Sequence, residues 1–205
     1  MKFISQQYQR LCQLPSDINE HLPIMMAMST ECKTIAELGV RDIVSTWAFL
    51  QGLLNNNSDT KRLICVDVCD IPNIDIVKYI GKKENICVKF IKHDSATVKL
   101  PKVDMVFIDT WHVYGHLKRE LEHLHSNVGK YIVMHDTEID KIYGEVVRLN
   151  NDPEKASAKS GYPLDEITTG LGIAIIEFLT DHPEWEFKVH FTNCCGLTIL
   201  QRKGT

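Results

Sequence analysis

The chain has 205 residues, 44% of them hydrophobic, which is enough for one complete core and short of two. Its 27 acidic and 23 basic residues give a formal charge of −4 with no basic stripe, so nucleic acid is excluded as the default partner. No apolar run nears the ~20 residues of a membrane span, and the opening MKFISQQYQRLCQLP lacks a signal-peptide core; a soluble, cytoplasmic protein is expected.

Residues 1–30 read as one or two helices broken at Pro15 and Pro23, a cap over the mouth of the fold. Five runs then read as strands: 34–38 (TIAEL), 62–68 (RLICVDV), 86–91 (ICVKFI), 103–109 (VDMVFID) and 130–136 (KYIVMHD). They are continuously apolar rather than alternating, as in strands covered on both faces. Between them, 43–55, 73–81 and 114–126 have helical spacing; in the last, Leu117, Leu121 and Leu124 face inward while Lys118, Arg119, Glu120 and Glu122 are expected to face water. The polar stretch 150–166 reads as a flexible or substrate-covering loop. An amphipathic segment follows, then two strand-like runs about a tight turn at 193–196.

Strand alternating with helix predicts a single α/β domain over 1–205, with a cap at 1–30 and a core at 33–202. The core is expected to be a Rossmann-like, doubly wound, mostly parallel seven-stranded sheet ending in an antiparallel hairpin. The seven cysteines include no CxxC pair, so neither a disulfide framework nor a zinc knuckle is indicated and all are read as structural thiols. The N-terminal helices, with PIMMAM at 23–28, leave open whether they close their own pocket or pair in a homo-oligomer.

Ligands of doubly wound sheets lie beyond the carboxyl ends of the strands. That rule singles out Glu37 and Gly39, Asp67, Asp94, Asp109, His135 and Asp136. Gly39 permits close approach of backbone to a ligand, and Ser45 and Thr46 offer hydroxyls near the next helix start. GxGxxG is absent, which argues against a nicotinamide site, and a carboxylate at 37 suits a cationic amine better than a pyrophosphate.

ELGV followed by Ser45 and Thr46, CVD, HDS, FIDTWHVY and YIVMHDT, each at a predicted strand end, resemble class I S-adenosylmethionine-dependent methyltransferases. The resemblance spans about residues 33–202 and is nearest to the metal-dependent sugar O-methyltransferases of the macrocin, mycinamicin and cephalosporin-hydroxylase-like group. It implies an S-adenosyl-L-methionine site made of Glu37, Gly39, Arg41, Ser45, Thr46, Asp67, Asp94, Ser95 and Asp109. It also implies a divalent metal, Mn2+ or Mg2+, on Asp109, His135 and Asp136, with His112 as general base. Where the family has further glycines, this chain has Arg41 and Ile43. Trp111, His112 and Tyr114 are the expected substrate contacts, and the two aromatics serve equally well as wall residues. The plainer alternatives are Glu37 paired with a Lys or Arg, His135 as a hydrogen-bonded pocket residue and Asp136 as a cap. The implied function is methyl transfer to the hydroxyl of a small-molecule or glycan acceptor; a catechol-like acceptor and a non-catalytic cofactor-binding module are the rivals.

Overall fold

The computed structural model describes residues 3–204; Met1, Lys2 and Thr205, which belong to the expected 1–205 domain, lie outside the described residues. Helices α1 (Phe3–Gln13) and α2 (Leu22–Thr30) precede β1 (Thr34–Leu38), α3 (Val44–Asn55), β2 (Lys61–Asp67), α4 (Ile74–Lys83), β3 (Ile86–Lys92), β4 (Val103–Ile108), α5 (Tyr114–Leu124) and β5 (Val128–His135). Then come the short helices α6 (Glu145–Arg148), α7 (Pro153–Ser160) and α8 (Leu164–Thr168), followed by α9 (Leu171–Asp181), β6 (Trp185–Phe191) and β7 (Leu197–Arg202). All seven strands form one sheet in the order β3-β2-β1-β4-β5-β7-β6. Strands β1 to β5 are parallel, and β7 runs antiparallel to both β5 and β6, which is the expected mixed sheet.

Each central strand sends alternate side chains to opposite faces. Ile35, Leu63, Met105, Phe107 and Val133 pack under α1, α2 and α3, while Ala36, Ile64, Val106, Ile108 and Ile132 pack under α5 and α9. With both faces covered, no polar alternation survives, and the strands read in the sequence as unbroken apolar runs. The cap sits lower than expected: α2 packs tightly on α3, where a Cβ on Gly52 would lie 2.3 Å from Ser29 Cβ. Pro23 begins α2 rather than breaking a helix, since a first-turn proline gives up no intrahelical bond. The connection between α1 and α2 reaches the rim, where Cys194 Sγ donates to Asp17 O at 3.0 Å, and α1 borders the β1–α3 turn through Phe3, Gln7 and Arg10.

The register places the site. Val66, Leu38, Ile108 and Met134 stand side by side across β2, β1, β4 and β5. One residue further, Asp67, Gly39, Asp109 and His135 therefore share one rim.

The expected loop at 150–166 is instead built around α7 and α8. Asp152 accepts from the backbone N–H of Glu154 and Lys155, Pro153 opens α7 and Gly161 closes it at φ 76°, the usual terminators of a short helix. Asp152→Ala is expected to fray the start of α7; faster hydrogen exchange confined to residues 154–160 is the measurement that checks it. Glu120 also departs from expectation, being buried with Thr110 Oγ1 donating to it at 2.8 Å. Among the described residues all seven cysteines are free, and only Cys32 and Cys65 are buried.

Candidate functional site

A cavity of about 1130 Å3 opens along this rim, lined at one end by Gly39, Asp67, Asp94 and Ser95 and at the other by Asp109 and Glu145. Asp67 organises the first end. Its Oδ2 accepts from the backbone N–H of Val40 at 2.9 Å and of Arg41 at 3.3 Å, and its Oδ1 from Cys69 at 2.9 Å. The carboxylate thus holds the β1–α3 turn and still has lone pairs toward the cavity. Asp67→Ala is expected to free that turn; faster hydrogen exchange at the Val40 and Arg41 amides reads the loss. Asp94 accepts from Ala96 N at 2.9 Å, and Ser95 Oγ lies 3.1 Å from His116 Nε2. Arg41 lines the same wall with its guanidinium on Asp17 at 2.7 Å.

Glu37, Ser45 and Thr46 come together, but inside the protein and off the cavity wall. Glu37 is fully buried and accepts from Ser45 Oγ at 2.6 Å, Thr46 Oγ1 at 2.9 Å and Cys65 Sγ at 3.3 Å, with no Lys or Arg opposite. Burial pushes its carboxyl from 4.5 up to about 7, against the pull of those donors. Folding therefore takes up a proton here, and this share of stability, full below pH 4.5, is lost as the pH rises through about 7. Glu37→Gln is expected to stabilise the protein at pH 8 by up to about 3 kcal/mol and to change little at pH 4; melting curves at the two values test it.

The other end of the cavity carries a charged cluster. His112 Nε2 lies 3.2 Å from both Asp109 Oδ1 and Asp136 Oδ2, and His135 Nδ1 lies 3.5 and 3.2 Å from the same two oxygens. On the far side of its ring, His112 Nδ1 lies 3.3 Å from Asp140 Oδ2 and 3.2 Å from Glu145 Oε2. Asp140 is fully buried and held by Arg148 through Nε at 2.6 Å and Nη2 at 2.9 Å. Burial would raise the Asp109 carboxyl, but the two imidazoles outweigh it and take it below the ordinary range. Burial likewise works to lower both rings, and the carboxylates override it, raising His135 to about 10 and His112 well above its usual value.

One hydrogen bond decides how His135 faces this cluster. Its Nε2 is 3.1 Å from Cys194 O, an acceptor only, so Nε2 carries a proton and Nδ1 is the nitrogen turned to the carboxylates. Nδ1 is buried and without a hydrogen-bond partner. A second proton or a metal cation fits between Nδ1 and the two carboxylates: the raised imidazole binds the proton, and a donor set of imidazole nitrogen and carboxylate oxygens also fits a divalent metal.

Tyr114 lies off the cavity: it donates to Glu177 Oε2 at 2.7 Å and accepts from Lys118 at 2.6 Å on the outer side of α5. His112 does not line the cavity either, its nitrogens being turned to carboxylates. Trp111 does, and stacks on Tyr162 with centroids 5.8 Å apart and planes at 26°. Tyr162, His116, Asp140 and Glu145 belong to the site and were not anticipated. Asp140 and Glu145 stand in TEIDKIYGEV with no periodic pattern to mark them, and Tyr162 falls within the polar stretch.

No family model matches the chain, and no curated protein matches it in sequence. Solved structures do. A Podospora anserina methyltransferase bound to SAH superposes with a TM-score of 0.56 at 14% identity, covering 98% of this chain and 87% of that one. An O-methyltransferase from Bacillus cereus in complex with SAH gives 0.56 at 14%, covering 98% and 89%. Human N-acetylserotonin methyltransferase in complex with SAM gives 0.52 at 17%, covering 98% of this chain but 57% of its own length. The fold is that of class I methyltransferases.

Within that methyltransferase fold, the turn after β1 shows what became of the missing glycines. Gly39, Arg41 and Ile43 have φ of 82°, 43° and 56°. The left-handed backbone is therefore retained at 41 and 43 by residues with side chains, which costs of order 1 kcal/mol each. Contacts of both residues offset this: Arg41 reaches Asp17, and Ile43 packs against the core under α3.

Proposed function

We propose that the protein transfers the methyl group of S-adenosyl-L-methionine to a hydroxyl oxygen of a small acceptor, of which a sugar or glycoside is the favoured class. The observation that carries this reading is the single cavity running from Gly39 and Asp67 to Asp109 and Glu145. It exceeds the ~300–1,000 Å3 of ordinary ligand pockets and so has room for a cofactor and an acceptor end to end. The SAH-bound and SAM-bound relatives in fold support the cofactor.

Asp67 would accept hydrogen bonds from the ribose hydroxyls, Asp94 and Ser95 would flank the adenine, and the turn from Gly39 to Arg41 would receive the methionine part. Trp111, Tyr162 and His116 form an aromatic wall on the Ser95 side of the cavity, which would stack on the adenine, and the acceptor would lie beside Asp109 and Glu145. Methyl transfer needs the acceptor oxygen held in line with the sulfonium and relieved of its proton. A divalent cation held by Asp109, His135 and Asp136 would lower the pKa of the hydroxyl and stabilise its developing charge. Glu145 lines the cavity and has Oε2 3.2 Å from His112 Nδ1; in this reading it, rather than His112, would take the proton.

Calorimetry with S-adenosyl-L-methionine comes first, and absence of binding would sink the reading. A methyl-transfer assay across rhamnosides, other glycosides and catechols, with Mn2+ and with EDTA, then tests the acceptor. Turnover of catechols alone would remove the sugar, and binding without turnover on any acceptor would favour the non-catalytic module.

A further inference from the structure

We propose that His112 is a metal ligand, so that the site is a four-donor centre of two imidazoles and two carboxylates built for a transition metal rather than for Mg2+. This rests on the metal-site half of the proposed function and not on the identity of the acceptor. Asp109, His112 and Asp136 bring their ligand atoms within 4.8 Å of one another, and His135 Nδ1 faces the same two oxygens, Asp109 Oδ1 and Asp136 Oδ2, that His112 Nε2 faces. The four nitrogen-to-oxygen edges of that group measure 3.2, 3.2, 3.5 and 3.2 Å. A metal with bonds of about 2.1 Å spaces neighbouring donors ~3.0 Å apart in an octahedron and ~3.4 Å apart in a tetrahedron. The observed edges fall on those separations, and His112 fits the polyhedron as well as His135 does.

The outer side of the His112 ring agrees. A ligating imidazole turns its second nitrogen to a carboxylate that fixes its orientation. His112 Nδ1 lies between Asp140 and Glu145, and Asp140 is itself clamped by Arg148. A base serving a substrate would instead need one nitrogen free toward the cavity, and His112 has neither. Imidazole pairs favour Mn2+, Fe2+, Co2+ or Zn2+ over the all-oxygen shell that Mg2+ prefers.

The test uses the full chain, stripped with a chelator and reloaded with Mn2+ or Co2+, in wild type, His112→Ala and His135→Ala, with folding verified by circular dichroism. Pulsed EPR of the Mn2+ form is expected to show two imidazole nitrogens in wild type and one in each variant. The Co2+ absorption bands are expected to shift in both variants, and metal affinity to fall at least 100-fold. Two imidazole couplings and wild-type affinity retained in His112→Ala would overturn the proposal while leaving the metal site standing. No binding of Mn2+ or Co2+ by wild type would overturn both together, and S-adenosyl-L-methionine calorimetry would still judge the methyl-transfer reading separately. His112→Asn serves as the second variant should His112→Ala fail to fold, with the same loss of one imidazole expected.

Discussion

Gly39→Ala is expected to abolish cofactor binding and to lower stability by about 3–5 kcal/mol. A Cβ at this position would lie 1.8 Å from the carbonyl oxygen of Asp109 and 2.7 Å from its carbon, and φ is 82°. The obstacle is backbone and cannot rotate aside. It is also fixed, because Asp109 N donates to Leu38 O at 2.9 Å while Gly39 N donates to Val66 O at 3.0 Å. Making room must therefore part the ends of β1 and β4, which moves the cofactor turn and Asp109 at once. Thermal melting and calorimetry with S-adenosyl-L-methionine read the two consequences; wild-type values in both would show that the rim is far more pliable than its hydrogen bonds imply.

Asp136→Asn is expected to reduce methyl transfer by about 100-fold or more and to weaken divalent-metal binding in parallel. Cofactor affinity should stay within about threefold of wild type, since Asp136 is absent from the cavity wall. The amide keeps the size of the carboxylate, and asparagine tolerates the left-handed backbone that Asp136 adopts at φ 56°. The substitution thus removes charge with little change of shape. What it leaves is two imidazoles facing one carboxylate instead of two, a poorer shell for any cation. Unchanged turnover alongside lost metal affinity would separate the metal from the chemistry.

The parts of this protein that could be read from its residues are those in which burial writes a pattern. Continuous apolar runs marked β1, β2, β4 and β5 because both faces of the sheet are covered there, while the edge strand β3 leaves Cys87 and Lys89 exposed, and the acids and histidine ending the central runs fell on one rim because parallel register aligns them. Helix α7 escaped because the face it turns inward carries Pro153, Ala156, Ser157 and Ser160 and is only half-buried, so no apolar stripe is written; only Asp152, Pro153 and Gly161 announce it. Glu120 was misread because helical spacing reports which way a side chain points, not whether Thr110 and His116 wait there to receive it. The neighbours of His112 were illegible for a similar reason. Asp140 and Glu145 reach it through an irregular segment held by scattered backbone bonds, such as Glu145 N to His112 O at 2.9 Å and Leu171 N to Asp140 O at 2.8 Å, rather than by a regular element with a sequence period.

The bond from His135 to the carbonyl of Cys194 has a consequence for biosynthesis. His21 Nε2 reaches the same carbonyl at 3.2 Å and that of Asn193 at 3.0 Å, so both imidazoles depend on a turn formed about 170 residues after the first of them. A nascent chain emerging from the ribosome could assemble β1 to β5 and still leave the His135 ring free to rotate. If the proposed cation is held here, its binding is expected only after residue 194 has emerged and β7 has closed on β5, and intermediates arrested before that point should bind none at this rim.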